Sequence, residues 1–218
     1  MSTAPDLLLV AAGGLGREAA AAVRAVGNGA RVAFLDDAIA IGTEIEGVAV
    51  VGPATADTLA RFPDAEVVVC SASSGDPERR RRLVARLAIP TSRYGRITHP
   101  AAVLDECVPG PGSIVLACAV ATVAVTIGAH AVIMPGVVMV HDTVVGDYSV
   151  VAGGVAMGGG VQIGEGAYVG AASVLREGCH VGDGAVVGMG AVVVRDVPAG
   201  EVWVGNPARR LRAADDQA

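Results

Sequence analysis

Hydrophobic residues follow two different periods along the chain, and the change of period predicts two structural parts. In the first ninety residues, short apolar runs alternate with stretches of helical spacing. The runs predict strands over 7–11, 32–35 and 67–70, and the helical spacing predicts helices over 16–26 and 76–87. Asp76 and Pro77 are expected to be the N-cap and the first residue of the second helix. This alternation predicts a small parallel α/β unit of Rossmann type.

From about residue 113, an aliphatic residue or methionine stands at every sixth position. The run is uninterrupted over twelve positions: Ile127, Ile133, Met139, Val145, Val151, Met157, Ile163, Val169, Leu175, Val181, Val187 and Val193. The next position is often glycine, and the fifth position of the hexad is small or β-branched, as in Ala131 and Thr143. This second period therefore differs in kind from that of the first ninety residues.

A period of six predicts a parallel β-helix. An α-helix, with 3.6 residues per turn, cannot keep such a period on one face. A valine-rich β-sandwich would need hairpin turns at irregular spacing, and none breaks the frame. In a β-helix, by contrast, short strands stack about 4.8 Å apart, so that each aliphatic residue lies on its equivalent in the previous coil.

Chain length and composition agree with two parts of this kind. The chain has 218 residues, enough for an α/β domain at 1–95 and a β-helix domain at 96–218 that ends in a short tail. Hydrophobic residues make up 52% and aromatic residues 3%, so the core must consist of Val, Ala, Ile and Leu. The 30 glycines suit the corners of a stacked, repetitive backbone.

Charge and cysteine usage exclude several classes of function. The net charge of −6 argues against nucleic acid or an anionic membrane as the main partner. No apolar run approaches the roughly 18–20 residues of a membrane span, and no signal segment is recognisable, which predicts a cytoplasmic protein. Four scattered cysteines without a CxxC pair predict buried or incidental thiols in a reducing cytosol.

The turn "GGLG" between the first strand and the first helix is a candidate phosphate site. Backbone N–H groups at a helix N-terminus bind phosphate well, which makes Gly13, Gly14 and Gly16 candidate substrate contacts, with Arg17 beside them. At the end of the second strand, Asp36 and Asp37 stand where a ribose or a base is held in such folds. The turn lacks the full GxGxxG fingerprint. Its glycines would also serve a tight turn that only packs strand against helix.

The ordered motifs together resemble one family, the PglD/NeuD-like sugar acetyltransferases with a left-handed β-helix. The motifs are "AAGGLGRE", "VAFLDD" followed by "IGTEIEGVAVVGP" as a loop, "THPAAVL", "VHDTVVGDYSVVAGGVAMGGG" and "VWVGNPARRL". They span nearly the whole chain. The resemblance implies a triangular prism with three hexads per turn, direct acetyl transfer from acetyl-CoA without a metal, and a homotrimer with active sites between subunits. It also implies that the α/β domain holds the nucleotide of an activated amino sugar.

The "HD" pair matches the family's catalytic histidine and its acidic neighbour, which makes His141 the candidate general base and Asp142 its partner. An imidazole suits proton removal from an attacking amine or hydroxyl at neutral pH. In a straight strand Asp142 would point away from His141, so their pairing requires a corner or a bulge. His130, His141 and His180 fall at three different positions of the hexad, which argues against a zinc site built from three histidines. His130 and His180 are expected on the surface, and His99 at a hinge before Pro100.

The same resemblance assigns acetyl-CoA contacts to Gly159, Ala171, Gly188 and Met189, with N–H groups of the "MGGG" stretch as oxyanion donors. Two departures from the family concern histidines. Val150 stands nine residues after His141, where the family often has a second histidine. In the glycine turn, Leu15 replaces a histidine, while Ala11 replaces the first glycine and Arg17 a lysine.

These patterns favour an N-acetyltransferase that acts on a nucleotide-linked amino sugar. Three alternatives stay open: an O-acyltransferase with a sugar hydroxyl or another small acceptor, a non-catalytic nucleotide-binding trimer, and a zinc hydratase on the same prism. No Ser or Cys lies in a nucleophile motif, which favours direct transfer over an acyl-enzyme.

Overall fold

The first part of the chain is an α/β unit. A computed structural model describes residues 4–73, 76, 78–214 and 216. The elements of the α/β unit are β1 (Leu7–Val10), α1 (Gly14–Val26), β2 (Val32–Leu35), β3 (Glu44–Ile45), β4 (Val48–Gly52), α2 (Ala56–Ala60), β5 (Glu66–Val69), α3 (Arg79–Leu87) and a 3-10 turn (Thr91–Arg93). The sheet order is β3-β4-β2-β1-β5, with β3 antiparallel to β4 and all other neighbours parallel.

Two local predictions for this unit were wrong. Residues 44–52, expected to be loop, form β3 and β4, because Val48 and Val50 alternate with less buried residues and complete the sheet core. α3 begins at Arg79, and Asp76 is not its N-cap, since the Asp76 carboxylate pairs with Arg82 at 2.5 Å instead. Pro77, predicted as the first helical residue, lies outside the described residues.

The second part is a stack of two-residue strands. They are β6 (Ile97–Thr98), β7 (Val103–Leu104), β8 (Ile114–Val115), β9 (Val120–Ala121), β10 (Thr126–Ile127), β11 (Val132–Ile133), β12 (Val138–Met139), β13 (Val144–Val145), β14 (Val150–Val151), β15 (Ala156–Met157), β16 (Gln162–Ile163), β17 (Tyr168–Val169), β18 (Val174–Leu175), β19 (His180–Val181), β20 (Val186–Val187) and β21 (Val192–Val193). β22 (Glu201–Val204) and β23 (Arg209–Ala213) form a closing antiparallel hairpin.

These strands form the three faces of a parallel β-helix, as the hexads predict, and the β-helix is left-handed, as the resemblance to the family implies. Face 1 contains β6, β8, β11, β14, β17, β20 and β22, face 2 contains β7, β9, β12, β15, β18 and β21, and face 3 contains β10, β13, β16 and β19. Paired residues such as Val120, Val138 and Ala156 lie 18 positions apart, so one coil holds three hexads. The second residue of most corners has a positive φ, supplied by glycine or by residues such as Asp142 (φ 60°).

The core of the β-helix consists of the predicted column. All twelve aliphatic positions are at most 3% exposed. Polar residues at the fifth hexad position are also buried, but each hydroxyl donates to a backbone carbonyl, as Thr143 Oγ1 does to Val140 at 2.6 Å. Each stacked aliphatic side chain contributes about 2 kcal/mol of burial free energy. The column therefore stabilises every coil against its neighbours.

The α/β unit covers face 1, and face 2 is open. Ile97, Ile114, Val132 and Val150 of face 1 share a buried cluster with residues of α1 and β1. The outward residues of face 2 are all apolar: Val103, Val120, Val138, Ala156, Val174 and Val192. None of the helices in the described part of the chain is long and apolar enough to cross a membrane.

Candidate active site

His141 and Asp142 occupy the corner between face 2 and face 3. Because Asp142 adopts a left-handed conformation with φ 60°, its side chain turns back toward His141 instead of pointing away. Asp142 Oδ2 lies 2.8 Å from His141 Nδ1. Both side chains are about two-thirds exposed, and Nε2 on the other side of the ring has no hydrogen-bond partner among the described residues. The corner that the pairing requires is therefore present.

Gly159 lies directly against the His141 ring, one coil further along the same corner. A Cβ atom at Gly159 would be 2.4 Å from Cε1 and 2.5 Å from Nε2 of His141, so only glycine leaves room for the imidazole. The neighbouring N–H groups of Gly158 and Gly160 donate to Leu175 and His141 carbonyls. The N–H of Gly159 has no acceptor among the described residues. A base and a free hydrogen-bond donor therefore lie side by side.

The other histidines do not join this corner. His130 was expected on the surface, but it is 4% exposed, because it lies between Tyr94 (4.6 Å between ring centroids) and Tyr148 (4.9 Å). Burial lowers the pKa of His130 to about 4, and the nearby Arg80 charge acts in the same direction. His180 is exposed on β19, as expected, and His99 Nδ1 accepts the Ala101 N–H. Over the described residues, no cluster of His, Cys, Asp or Glu could hold a metal ion.

Three of the predicted acetyl-CoA contacts lie at another corner, between face 1 and face 2. Ala171 and Met189 are stacked there on adjacent coils, joined by the hydrogen bond from Gly190 N–H to the Ala171 carbonyl (2.8 Å). Met189 is 82% exposed. Gly188 is partly buried, and a Cβ atom on it would meet Val204 at 2.7 Å. His141 and Gly159 border face 2 along one edge, while these residues border it along the other.

The glycine turn presents free backbone at the start of α1. Gly13 and Gly14 are exposed, with open space where their side chains would be. Gly13 is the N-cap, it provides no side-chain cap, and the first turn of α1 has no acidic residue. Such an uncapped N-terminus attracts anions. Arg17 lies beside it in an exposed ion pair with Glu46 (3.4 Å).

Gly16 has a different role from its two neighbours. It is buried, and a Cβ atom there would lie 2.2 Å from the carbonyl oxygen of Ala11. Its lack of a side chain therefore permits β1 and α1 to approach closely, which is the packing alternative for this glycine. Ala11 has a φ of 75°, a conformation that costs an alanine about 1–2 kcal/mol.

Asp36 and Asp37 line a cavity of about 90 Å³ at the carboxyl ends of β1 and β2. Asp36 accepts N–H bonds from Ala12 and Ala38, both at 2.9 Å. Asp37 accepts the Ala54 N–H at 2.9 Å and pairs with Arg86 at 2.7 Å. Partial burial raises the pKa of Asp37, but these two partners outweigh it and hold the pKa below its usual range.

Sequence reasoning missed the basic wall of this cavity. Arg79, Leu83 and Arg86 of α3 line it opposite the two aspartates. The only available signal was the arginine run at the start of the predicted second helix.

The two positions where the family has histidines lie in the apolar cluster under face 1: Val150 is 5% exposed there, and Leu15 packs against that cluster.

Comparison with known proteins gives matches over both parts of the chain. The family model "PglD N-terminal domain" matches residues 6–87, and the model "Bacterial transferase hexapeptide (six repeats)" matches residues 160–195. No curated protein sequence matches the chain.

Solved structures match nearly the full length. WeeI from Acinetobacter baumannii AYE is 30% identical, with 94% of this chain and 99% of that chain covered and a TM-score of 0.78. The acetyltransferase domain of PglB from Neisseria gonorrhoeae FA1090, in complex with acetyl coenzyme A, is 27% identical, with 95% and 100% covered and a TM-score of 0.84. Perosamine N-acetyltransferase from Caulobacter crescentus, with one histidine replaced by asparagine and in complex with CoA and GDP-perosamine, is 27% identical, with 94% and 96% covered and a TM-score of 0.84.

Proposed function

Since the chain belongs to the PglD/NeuD-like family of hexapeptide-repeat sugar acetyltransferases, we propose that this acetyl-CoA-dependent acetyltransferase acetylates the amine of a nucleotide-linked amino sugar. The single observation that carries the proposal is the corner at His141. There the imidazole is oriented by Asp142 at 2.8 Å and lies against Gly159, whose N–H has no acceptor among the described residues.

His141 acts as the general base. With Nδ1 engaged by Asp142, Nε2 takes the proton from the sugar amine as its nitrogen forms a bond to the thioester carbonyl carbon. The Gly159 N–H donates to the oxygen on which negative charge develops. The carbon–sulfur bond then breaks, and His141 returns its proton to the departing thiolate. Acetyl-CoA thus supplies an activated acetyl group, and this chain supplies the base and the oxyanion donor.

The acceptor's nucleotide binds the α/β unit. The uncapped N-terminus of α1 at Gly13 and Gly14 suits a diphosphate, and Arg17 lies close enough to add a positive charge. The cavity beside Asp36 and Asp37 suits the ribose or the base. Carboxylates on one wall and arginines on the other provide both acceptors and donors. This part of the proposal is independent of which nucleotide is used.

Three chains form the active sites together. Ala171 and Met189 lie on the edge of face 2 opposite His141, so an acetyl-CoA molecule between two chains can contact this edge of one chain and the His141 edge of the next. The six outward residues of face 2 are apolar, and Val103, Val138 and Val174 are 61%, 37% and 47% exposed. An exposed apolar surface of this kind favours association. A closed trimer that buries face 2 would bring one edge of each chain against the opposite edge of the next.

Thiol release from acetyl-CoA across a panel of UDP-, GDP- and dTDP-linked amino sugars tests the proposal. We expect release with one amino sugar, loss of at least 100-fold in His141→Ala, and no change in His180→Ala, which removes an exposed histidine of face 3. Matched sugars with a hydroxyl in place of the amine distinguish O-transfer from N-transfer. Full activity of His141→Ala would overturn the assigned base, and a wild-type protein that binds CoA but is silent across the panel would overturn the acceptor.

A further inference from the structure

Arg80 of α3 is buried between the α/β unit and the β-helix. It is 2% exposed, and among the described residues its guanidinium contacts no carboxylate. Its Nη1 donates to the Ser71 carbonyl at 2.8 Å, and its Nη2 donates to the carbonyls of Tyr148 and, at 3.1 Å, Ser149. Burial lowers the pKa of Arg80 to about 10, so the group still carries its charge at neutral pH. A buried cation thus joins two parts of the chain through backbone oxygens alone.

The backbone carbonyls that Arg80 contacts lie near the cavity at one end and near His141 at the other. Ser71 follows β5, at the carboxyl edge of the sheet, where the cavity opens. Tyr148 and Ser149 belong to the same coil of the β-helix as His141, and the two corners are the ends of one hexad. Only β13 (Val144–Val145) and its flanking residues lie between them. Because this hexad is held on both sides by parallel neighbours, β10 and β16, it is a rigid spacer.

A neighbouring side of α3, about a quarter-turn from Arg80 around the helix, lines the cavity. Arg79, Leu83 and Arg86 belong to the same helix as Arg80, and Arg86 pairs with Asp37. The neighbouring Arg81 strengthens the docking from outside, because it pairs with Glu165 at 2.6 Å and lies over the Tyr148 ring at 4.7 Å. α3 therefore stands between the nucleotide cavity and the coil of the catalytic base, and it contacts both.

We propose that Arg80 is a positioning residue for acetyl transfer: it sets the placement of the nucleotide-binding unit relative to the coil that carries His141. This inference rests on the proposed function. Its consequence is that Arg80 contributes to the rate of transfer between two bound ligands and not to the binding of either. A displacement of about 1 Å between reacting groups can cost on the order of 100-fold in rate. Loss of three hydrogen bonds at the domain contact is expected to allow a displacement of that size.

The test compares Arg80→Met with Arg82→Met in the full-length protein. Methionine keeps much of the buried side-chain volume but cannot donate, whereas Arg82 is an exposed arginine of the same helix, 62% exposed and paired only with Asp76. For each variant, kcat with the active nucleotide-linked amino sugar is measured together with the Kd for CoA and the Kd for the matching nucleoside diphosphate. We expect kcat to fall at least ten-fold in Arg80→Met, with both Kd values within two-fold of wild type, and no change in Arg82→Met.

Each other outcome overturns the inference. An unchanged kcat in Arg80→Met means that the contact does not position the reaction, and a parallel loss of kcat and of both affinities means that Arg80 only maintains the fold. If Arg80→Met does not fold, Arg80→Lys replaces it, because an ammonium keeps the charge but cannot reach all three carbonyls at once. Arg80→Lys must then show the same result, a lower kcat with both Kd values close to those of the wild type. A wild-type protein that is inactive with every amino sugar instead refutes the proposed function itself.

Discussion

The imidazole of His141 lies so close to the α-carbon of Gly159 that a Cβ atom there would be 2.4 Å from the ring. The two residues are 18 positions apart in sequence and are brought together only by the length of one coil. Within the part of the chain that the structure describes, the N–H of the same glycine has no acceptor. Glycine is therefore required at this position for two reasons, namely space for the base and access to the oxyanion donor.

We predict that Gly159→Ala lowers kcat at least 100-fold, because the methyl group displaces the imidazole from its position. The control is Gly184→Ala, at a corner away from the site, where φ is 62° and no atom lies within 4 Å of the added Cβ. That variant should lose about 1 kcal/mol of stability through backbone strain and keep its kcat. Steady-state kinetics combined with chemical denaturation separates the two effects. Equal kcat values for Gly159→Ala and wild type would refute the assigned geometry.

Asp142→Asn should lower kcat by about ten- to 100-fold, since the amide no longer stabilises the imidazolium that forms during transfer. Asparagine tolerates the left-handed backbone (φ 60°) that this corner requires, so the melting temperature is expected to stay within about 2 °C of wild type. The measurement is kcat at saturating concentrations of both substrates. An unchanged rate would mean that Asp142 does not assist His141.

A negative charge at the N-terminus of α1 should weaken the binding of a diphosphate without destabilising the protein. Gly14→Glu places a carboxylate in open space at the first helical residue, where it stabilises the helix by about 0.3–1 kcal/mol. We expect the KM for the nucleotide-linked substrate to rise at least ten-fold. Ala21→Glu adds the same charge at an exposed position in the middle of α1 and should leave KM unchanged. If both variants behave alike, the turn does not bind phosphate.

His130 makes stability depend on pH. Its pKa is about 4 in the folded protein and 6.5 in the unfolded chain, so below pH 6.5 the unfolded state binds more protons. The contribution is fully present above pH 6.5 and is lost as the pH falls toward 4, about 2 kcal/mol between pH 7 and pH 5. In His130→Phe, which keeps an aromatic ring between Tyr94 and Tyr148, that part of the pH dependence should disappear. Urea denaturation at both pH values measures it, with His180→Phe as the exposed control.

Ala11→Gly is expected to stabilise the protein by about 0.5 kcal/mol. The gain from relieving an alanine at φ 75° exceeds the entropy that glycine adds to the unfolded chain. Ala12→Gly, one residue later, should destabilise it, because Ala12 is buried and its methyl group packs in the core. Chemical denaturation of both variants and the wild type measures the change in the free energy of unfolding. A destabilised Ala11→Gly would show that the strain at this turn is relieved elsewhere.

The β-helix was predictable because its determinants are local and repeated. Each aliphatic position from Ile127 to Val193 repeats the same pattern, and a hydrophobic period of six predicts a parallel β-helix. The corner at Asp142 was predictable in part, since the pairing with His141 demanded one. The α/β unit was less so: Val48 and Val50 form a strand in a segment that the resemblance to the family assigned to a loop.

Contacts between distant segments could not be predicted. Nothing near His130 in the sequence indicates that Tyr94 and Tyr148 enclose it, and the arginine run of α3 does not distinguish the buried Arg80 from the exposed Arg82. Burial at these positions depends on how the two parts of the chain pack. That packing follows from the shape of face 1 as a whole and not from any short stretch.

The 18-residue coil also limits how the gene can change in length. Removing one hexad between His141 and Gly159 would keep the remaining aliphatic residues in the core, because the frame of six is preserved, yet it would move this glycine to a different corner from His141. Such a deletion would yield a folded protein without an active site. Hexads lost or gained outside this interval, or loops extruded at a corner within it, leave the two residues on adjacent coils of one corner. An alignment of this chain should therefore preserve both the six-residue period of the aliphatic positions and the 18-residue separation of His141 and Gly159.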